Sequence, residues 1–293
     1  MKTIHIINPA AGQGKAKDYL SLENVYVTKA PGDATEFIKK TLGETTEDIN
    51  FCIYGGDGTV NEAACGIVSS GSEHGYLSIV PVGTGNDLVR SLPSEDVFKI
   101  DVLTMNERFA VNAINTGFDL EVVQKATEFK KKPLISGPLA YVLGVVSVLC
   151  QKLGKNIKIT YEDESGNIGC FEGECLLAVA ANGAYYGGGF KASPAAKLSD
   201  GLIDLMIVKK VSRLKFLSLV AGYKKGLHID EKTGDVNKKF SDVIIYRRCK
   251  SVKFENIKEI CADGEIFTQD SAQISVIPGA LKIIVNDKET ANV

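Results

Sequence analysis

Three glycine-rich turns near the start of the chain carry the residues best suited to chemistry. They are Asn8-Pro9-Ala10-Ala11-Gly12-Gln13-Gly14-Lys15, Gly55-Gly56-Asp57-Gly58-Thr59-Val60-Asn61-Glu62 and Pro81-Val82-Gly83-Thr84-Gly85-Asn86-Asp87. Glycine lets the backbone adopt positive φ and lets a phosphate approach the amides closely. Thr59 and Thr84 add hydroxyl donors, and Lys15 adds a point charge. The second and third turns also hold carboxylates, Asp57 and Asp87. A carboxylate beside a phosphate is repelled unless a divalent cation lies between them. Mg²⁺ suits that place, since it takes one or two carboxylates together with waters and phosphate oxygens. Both residues also suit helix capping, Asp87 more readily than Asp57, which sits among glycines. Neither G-x-x-x-x-G-K-[ST] nor G-x-G-x-x-G at a strand-to-helix junction occurs, which disfavours a P-loop NTPase or a Rossmann dehydrogenase.

The elements that must position these turns are legible in outline. Short apolar runs at Ile4–Asn8, Val25–Thr28, Asn50–Tyr54 and Leu77–Val82 predict strands. Helical stretches at Ala34–Leu42, Thr59–Ser69 and Asn86–Leu92 follow the later three. Repeated strand, turn and helix predict an α/β domain with a largely parallel sheet, whose strand ends gather ligands. From about Phe109 the texture turns β-rich. Strands are predicted at Asn156–Glu162, Phe171–Ala181, Leu202–Val208, Val243–Tyr246, Val252–Phe254 and Leu281–Val285, with helices at Leu139–Lys152 and Arg213–Tyr223. We therefore expect residues 1–110 to form an N-terminal α/β, Rossmann-like, nucleotide-binding domain. Residues 111–293 form a C-terminal antiparallel, sandwich-like, β-rich acceptor domain, with room for the C-terminal tail to pack back on the first. The active site belongs in the cleft between them.

Composition narrows the class. A net charge of −2 argues against a protein built to coat nucleic acid. The N-terminus shows no charged region followed by an apolar one, so no secretory signal is expected. The longest nearly apolar stretch, Gly137–Cys150, is shorter than the ~20 residues a bilayer span needs. Seven cysteines without a C-x-x-C pair, beside three histidines, do not predict a zinc site. They fit reduced, buried thiols in a cytoplasmic protein.

The segment Gly55–Glu62, followed by Pro81–Leu88, resembles the diacylglycerol kinase catalytic-domain family. That family includes bacterial diacylglycerol and other lipid kinases, sphingosine kinases and ceramide kinases. NAD kinases share the Gly-Gly-Asp-Gly-Thr loop, but the Val-Asn-Glu continuation and Gly-Thr-Gly-Asn-Asp favour the lipid kinases. Ala184–Gly189, Pro194–Leu202, Gly226-Leu227-His228 and Cys261–Glu265 resemble family segments in the family's order. The resemblance implies ATP between the domains, against Asn8, Pro9, Ala10, Ala11, Gly12, Thr28, Gly55 to Glu62, and Thr84. It implies an acidic, Mg²⁺-linked network of Asp57, Asp87 and Asp101. It implies Asp263 as general base for the acceptor hydroxyl, with Glu265 beside it. A second, structural Mg²⁺ would take the Asp200 side chain and the carbonyls of Lys197 and Leu202. One departure is Ala11, where the family usually has Ser.

Elementary chemistry is consistent with these roles. Phosphoryl transfer needs charge neutralisation, amide donors and a carboxylate near the attacking hydroxyl. Asp263-Gly264 reads equally well as an ordinary hairpin turn. Lys130-Lys131-Lys132 ahead of the apolar stretch Leu134–Leu149 marks either transient contact with a membrane surface or a core helix with a solvated flank. The expected function is an ATP- and Mg²⁺-dependent lipid kinase, cytoplasmic and peripheral to the membrane. Its partner is a lipid alcohol rather than nucleic acid. Two alternatives stay open, a kinase of NAD or another soluble substrate and a nucleotide-binding protein without catalysis. The acceptor's identity and the oligomeric state, a homodimer included, are left open.

Overall fold

The computed structural model describes residues 1–83, 85–93, 97–130 and 137–285. Thr84, Lys131, Lys132 and Leu134 lie outside the described residues. In the first half β1 (Lys2–Ile7), β2 (Val25–Val27), β3 (Ile49–Gly55) and β4 (Gly75–Pro81) pair in parallel, in the order β2-β1-β3-β4. Every residue of β3 is buried, as expected of a central parallel strand covered on both faces. One face packs Ile6, Phe51, Ile53 and Leu77 against Ile38 and Ile67 from α1 (Asp33–Gly43) and α2 (Asp57–Ser70). The other packs Ile7, Tyr54 and Val80 against Ala16 of the 3₁₀ segment Ala11–Tyr19.

The second half follows a short α3 (Asp87–Ser91). It comprises β5 (Val97–Met105), β6 (Arg108–Ala110), β7 (Ala113–Gly117), α4 (Phe118–Lys130), α5 (Gly137–Leu149), β8 (Lys155–Asp163), β9 (Ile168–Ala181) and β10 (Ile203–Lys209). Then come α6 (Arg213–Lys224), β11 (Ile244–Glu255), β12 (Glu259–Ala262), β13 (Glu265–Thr268) and β14 (Ser271–Ile284). Antiparallel pairing runs β7-β9-β10-β11-β14, and β8 bridges β9 and β11. The strands thereby fold over a core that includes Leu103, Ile159, Leu205, Phe254 and Ile274. Their other face packs on the helices through Val122, Val148, Met206 and Leu219. The last residues of β14 leave this half and pair in parallel with β4.

Several expectations change. The two strands predicted at 243–246 and 252–254 are one, β11, whose buried Tyr246, Cys249, Val252 and Phe254 are separated by one or two polar residues, so no single apolar run marks it. The strand at 281–285 is the end of β14, which continues through an irregularity between Ile277 and Leu281. Helix α4 was not anticipated. It buries Phe118, Val122 and Ala126 on one face, four residues apart. The thiols are not uniformly buried, since Cys150 and Cys170 are exposed.

Candidate active site

The three glycine-rich turns meet at the C-terminal ends of β1, β3 and β4. Asn8 donates from Nδ2 to Thr59 Oγ1 at 3.0 Å, joining the first turn to the second. A Cβ on Gly83 would lie 2.5 Å from the Gly56 Cα, so the second and third turns touch backbone to backbone. Asp57 then fastens the third turn. Its Oδ2 accepts from the Asn86 amide at 2.8 Å and its Oδ1 from the Asp87 amide at 2.7 Å. It caps the start of α3 from a distance, which is the helix-capping reading of Asp57 carried out on a neighbouring helix. A Cβ on Gly85 would sit 2.3 Å from Asp57 Oδ2 and 3.7 Å from Asp87 Oδ2, so the two carboxylates border one small space.

Asp87 reaches across to the second half. Its carboxylate accepts from the amides of Gly188 at 2.8 Å and Gly189 at 2.7 Å. Burial raises its pKa, the Gly188 amide opposes the rise, and the nearby Asp57 charge adds to it. The glycines of the Ala184–Gly189 segment thus gain a use that the sequence left unassigned.

Asp263 makes the opposite crossing. Asp263 and Gly264 both have positive φ, 45° and 96°, as a two-residue hairpin between β12 and β13 demands. The carboxylate accepts from Val111 N at 2.6 Å, Asn112 N at 3.1 Å, Ala113 N at 2.9 Å and Asn61 Nδ2 at 2.7 Å. Burial pushes its pKa up to about 6 against the pull of these donors. Asn61 was expected only at the nucleotide. It also ties α2 to the acid.

Asp57, Asp87 and Asp263 all border a cavity of about 670 Å³. Most of its wall is apolar and comes from α4, α5 and α6, through Phe118, Val122, Val145, Phe216 and Val220. A separate cavity of about 510 Å³ lies beside Lys29, Gly32, Asn61, Glu62 and Glu265. Glu265 therefore borders the second space, whereas Asp263 borders the first. Thr28 binds back to Ile7 through its amide at 2.9 Å, and Glu62 accepts from the Ala34 amide at 3.3 Å. Pro9, Ala10 and Ala11 form the bend after β1, with the Ala11 amide on Asn8 O at 3.0 Å. Gly12 follows at positive φ, and Gly58 and Val60 lie in the first turn of α2.

Two expected metal residues lie elsewhere. Asp101 does not extend the Asp57–Asp87 pair. Its oxygens accept from the amides of Gly201 at 2.6 Å and Gly279 at 2.8 Å, the latter within the irregular stretch of β14. Asp200 accepts from the Leu202 amide at 3.1 Å and pairs with the Arg248 guanidinium at 2.6 Å. The cation beside Asp200 is thus Arg248, which also reaches Glu164 at 3.1 Å, and the Lys197–Leu202 loop does not fit a second Mg²⁺ as it stands. Chelating divalent cations should accordingly leave the melting temperature of the protein as purified unchanged. Arg248→Met should lower it by about 1–4 °C. A fall in the wild-type melting temperature on adding EDTA, read by calorimetry, would restore the metal to that loop.

A soluble, charged acceptor has no use for so large an apolar chamber beside the three acids, and the site defines a lipid-kinase class. The comparisons name it more closely. The model of the diacylglycerol kinase catalytic domain matches residues 2–116, and that of the YegS C-terminal NAD kinase beta sandwich-like domain matches 112–285. The chain belongs to the diacylglycerol kinase catalytic-domain family. It is 30% identical to a diacylglycerol kinase of Staphylococcus haemolyticus, over 83% of this chain and 72% of that one. It is 29% identical to one of Bacillus subtilis, over 90% of each. Its fold matches the crystal structure of a candidate diacylglycerol kinase from Bacillus anthracis str. Sterne, with a TM-score of 0.69, 26% identity and 97% coverage of both chains.

Proposed function

We propose that the protein transfers the γ-phosphate of ATP, with Mg²⁺, to the hydroxyl of diacylglycerol or a related lipid alcohol, with Asp263 as the base. The observation that carries this is the position of Asp263. It borders the apolar cavity and is tied through Asn61 to the helix that starts at the phosphate-compatible turn.

The amides of the second and third turns suit the phosphates, and the neighbouring cavity beside Asn61 and Glu62 suits the rest of the nucleotide. Asp57 and Asp87 fit Mg²⁺. Their oxygens share one space, each accepts a single amide, and each keeps a further lone pair. Mg²⁺ bound there would neutralise charge on the phosphates. In the transfer, the lipid oxygen bonds to the γ-phosphorus, the bond to the leaving ADP oxygen breaks, and the hydroxyl proton passes to Asp263. A carboxylate offers about four lone-pair directions, and three amides with Asn61 take them here. The acceptor hydroxyl would take the place of Asn61 Nδ2, the one side-chain donor.

No helix among the described residues is long and apolar enough to cross a membrane. We place bilayer contact at the exposed Leu139, Val142 and Val146 of α5 and Leu214 and Leu217 of α6. The same helices line the cavity, and Arg213 ties their ends together through the carbonyls of Leu149 and Gln151. Labelled ATP offered with diacylglycerol in anionic vesicles, or with NAD, tests the whole reading. Label should enter the lipid, and the protein should sediment with the vesicles. Label in NAD alone would favour the soluble-substrate reading, and binding without transfer the non-catalytic one.

A further inference from the structure

We propose that Asn112 is a positioning residue for the transfer, holding the base Asp263 in register with the Asp57–Asp87 pair. The role rests on the lipid-kinase reading above. One hydrogen-bonded route joins the base to that pair through Asn61, whose Nδ2 donates to Asp263 at 2.7 Å and whose helix, α2, begins at Asp57. A second route runs through Asn112. Its amide donates to Asp263 Oδ1 at 3.1 Å, and its Nδ2 donates to the Tyr185 carbonyl at 2.7 Å. Three residues further on, the amides of Gly188 and Gly189 hold Asp87. The two routes close a ring, because Asp57 accepts from the Asp87 amide at 2.7 Å. An acceptor hydroxyl that enters at Asp263 in place of Asn61 opens the first route at the moment of transfer. The route through Asn112 then keeps the base at its distance from the acids on the phosphate side.

The pairing of β7 with β9 ends at Ala113 and Ala181. Just beyond it the Asn112 carbonyl accepts from the amides of Asn182 at 2.8 Å and Gly183 at 3.0 Å. With its amide on Asp263, the backbone of Asn112 is then fully engaged, and Nδ2 extends the hold two residues further, to Tyr185. The run that follows, Gly187-Gly188-Gly189, has positive φ at all three positions and no side chain to fix it. Its amides face Asp87 only while the ends of the run are held. Asn112 is itself buried, and its Oδ1 has no partner. That oxygen lies against Gly183, where an added Cβ would come within 2.0 Å, so the side chain is wedged and the direction of Nδ2 is set. A buried acceptor without a partner costs stability, so the use of this side chain lies in where Nδ2 points. The next residue offers a different hold. The Tyr186 hydroxyl donates to Asp119 at 2.7 Å and lies beside that of Tyr223 on α6, but this hold ends on α4 and not at the base.

The test follows label from γ-labelled ATP into diacylglycerol in mixed micelles and into inorganic phosphate in the same reaction. Wild type should label chiefly the lipid. Asn112→Ala removes Nδ2 and leaves the backbone amide that Asp263 uses. With the register loosened, water takes a share of the γ-phosphate in place of the lipid oxygen, giving ADP and inorganic phosphate. The ratio of labelled lipid to labelled phosphate should fall about tenfold, less than the roughly hundredfold that a misplacement of ~1 Å can cost. KM for ATP should change by less than about threefold, since the phosphate-compatible turns are untouched. Unfolded molecules label neither product, so partial misfolding cannot imitate the effect. Asn112→Ser, whose hydroxyl is too short to reach Tyr185, should behave alike. An unchanged ratio in a folded variant, or failure of both variants to fold, would overturn the role of Asn112 and leave the lipid-kinase reading standing. No label in the lipid from wild type would overturn that reading and this one with it.

Discussion

Asp263→Asn should lower phosphate transfer by about a thousandfold and change nucleotide affinity by less than about threefold. Of the nucleotide-compatible turns only Asn61 touches this side chain, and the backbone amides that suit the phosphates do not, so binding largely survives while the proton acceptor is lost. The structure adds a second consequence. Asp263 accepts from three successive amides and from Asn61, and an Asn must turn its NH₂ against at least one of those donors. Some loss of stability should accompany the loss of turnover. Kinetics, nucleotide titration calorimetry and a melting curve on one preparation separate the effects. Turnover near the wild-type rate would remove Asp263 from the mechanism.

The wild-type pH profile bears on the same residue. Burial pushes the Asp263 carboxyl up to about 6, so transfer should fall about tenfold per unit below that pH as the base is protonated. The stability linkage runs the other way. The folded-state pKa lies above the unfolded value, so the contribution from protonated Asp263 is complete below about pH 3.8. It is lost as pH rises through about 6. In this range the form of Asp263 that works is the form that folding tolerates less well.

Asp57→Ala should weaken binding of Mg·ATP by about ten- to a hundredfold. Two losses combine. One carboxylate leaves the space it shares with Asp87, and the amides of Asn86 and Asp87 lose their acceptor. The third turn then loses its register against the second. Asp57→Asn, which keeps one acceptor oxygen and no charge, should fall between wild type and alanine. Calorimetric titration of both variants with and without Mg²⁺ decides it. Equal affinities in all three proteins would dismiss the cation-bridging account.

The sequence showed the turns and the acids but not what the acids hold. Continuous apolar runs such as Ile49–Gly55 mark buried parallel strands in any reading, and Asp263-Gly264 marks a hairpin. Asp87 on the amides of Gly188 and Gly189, and Asp101 on those of Gly201 and Gly279, join positions about a hundred residues or more apart. A side chain bound to a distant backbone amide leaves no local pattern, since any residue but proline supplies that donor. The amide partners of Asp101 are therefore not legible in the residues around it. Tyr186 and Tyr223 were invisible as a pair for a related reason. They lie 37 positions apart with no shared local pattern, and only the fold brings the end of α6 beside the 186–190 bend.

The end of β14 has a consequence for how the chain can be divided. Lys282–Ile284 pair with Tyr76–Ser78, so the sheet beneath the phosphate turns is completed by almost the last described residues. A gene fragment stopping at the end of the first matched region would leave the edge of β4 bare, an invitation to adhesive strand pairing. During synthesis that edge stays open until the whole second half has emerged. The first half is thus no transplantable module, and the polypeptide is committed to being made and kept as one piece.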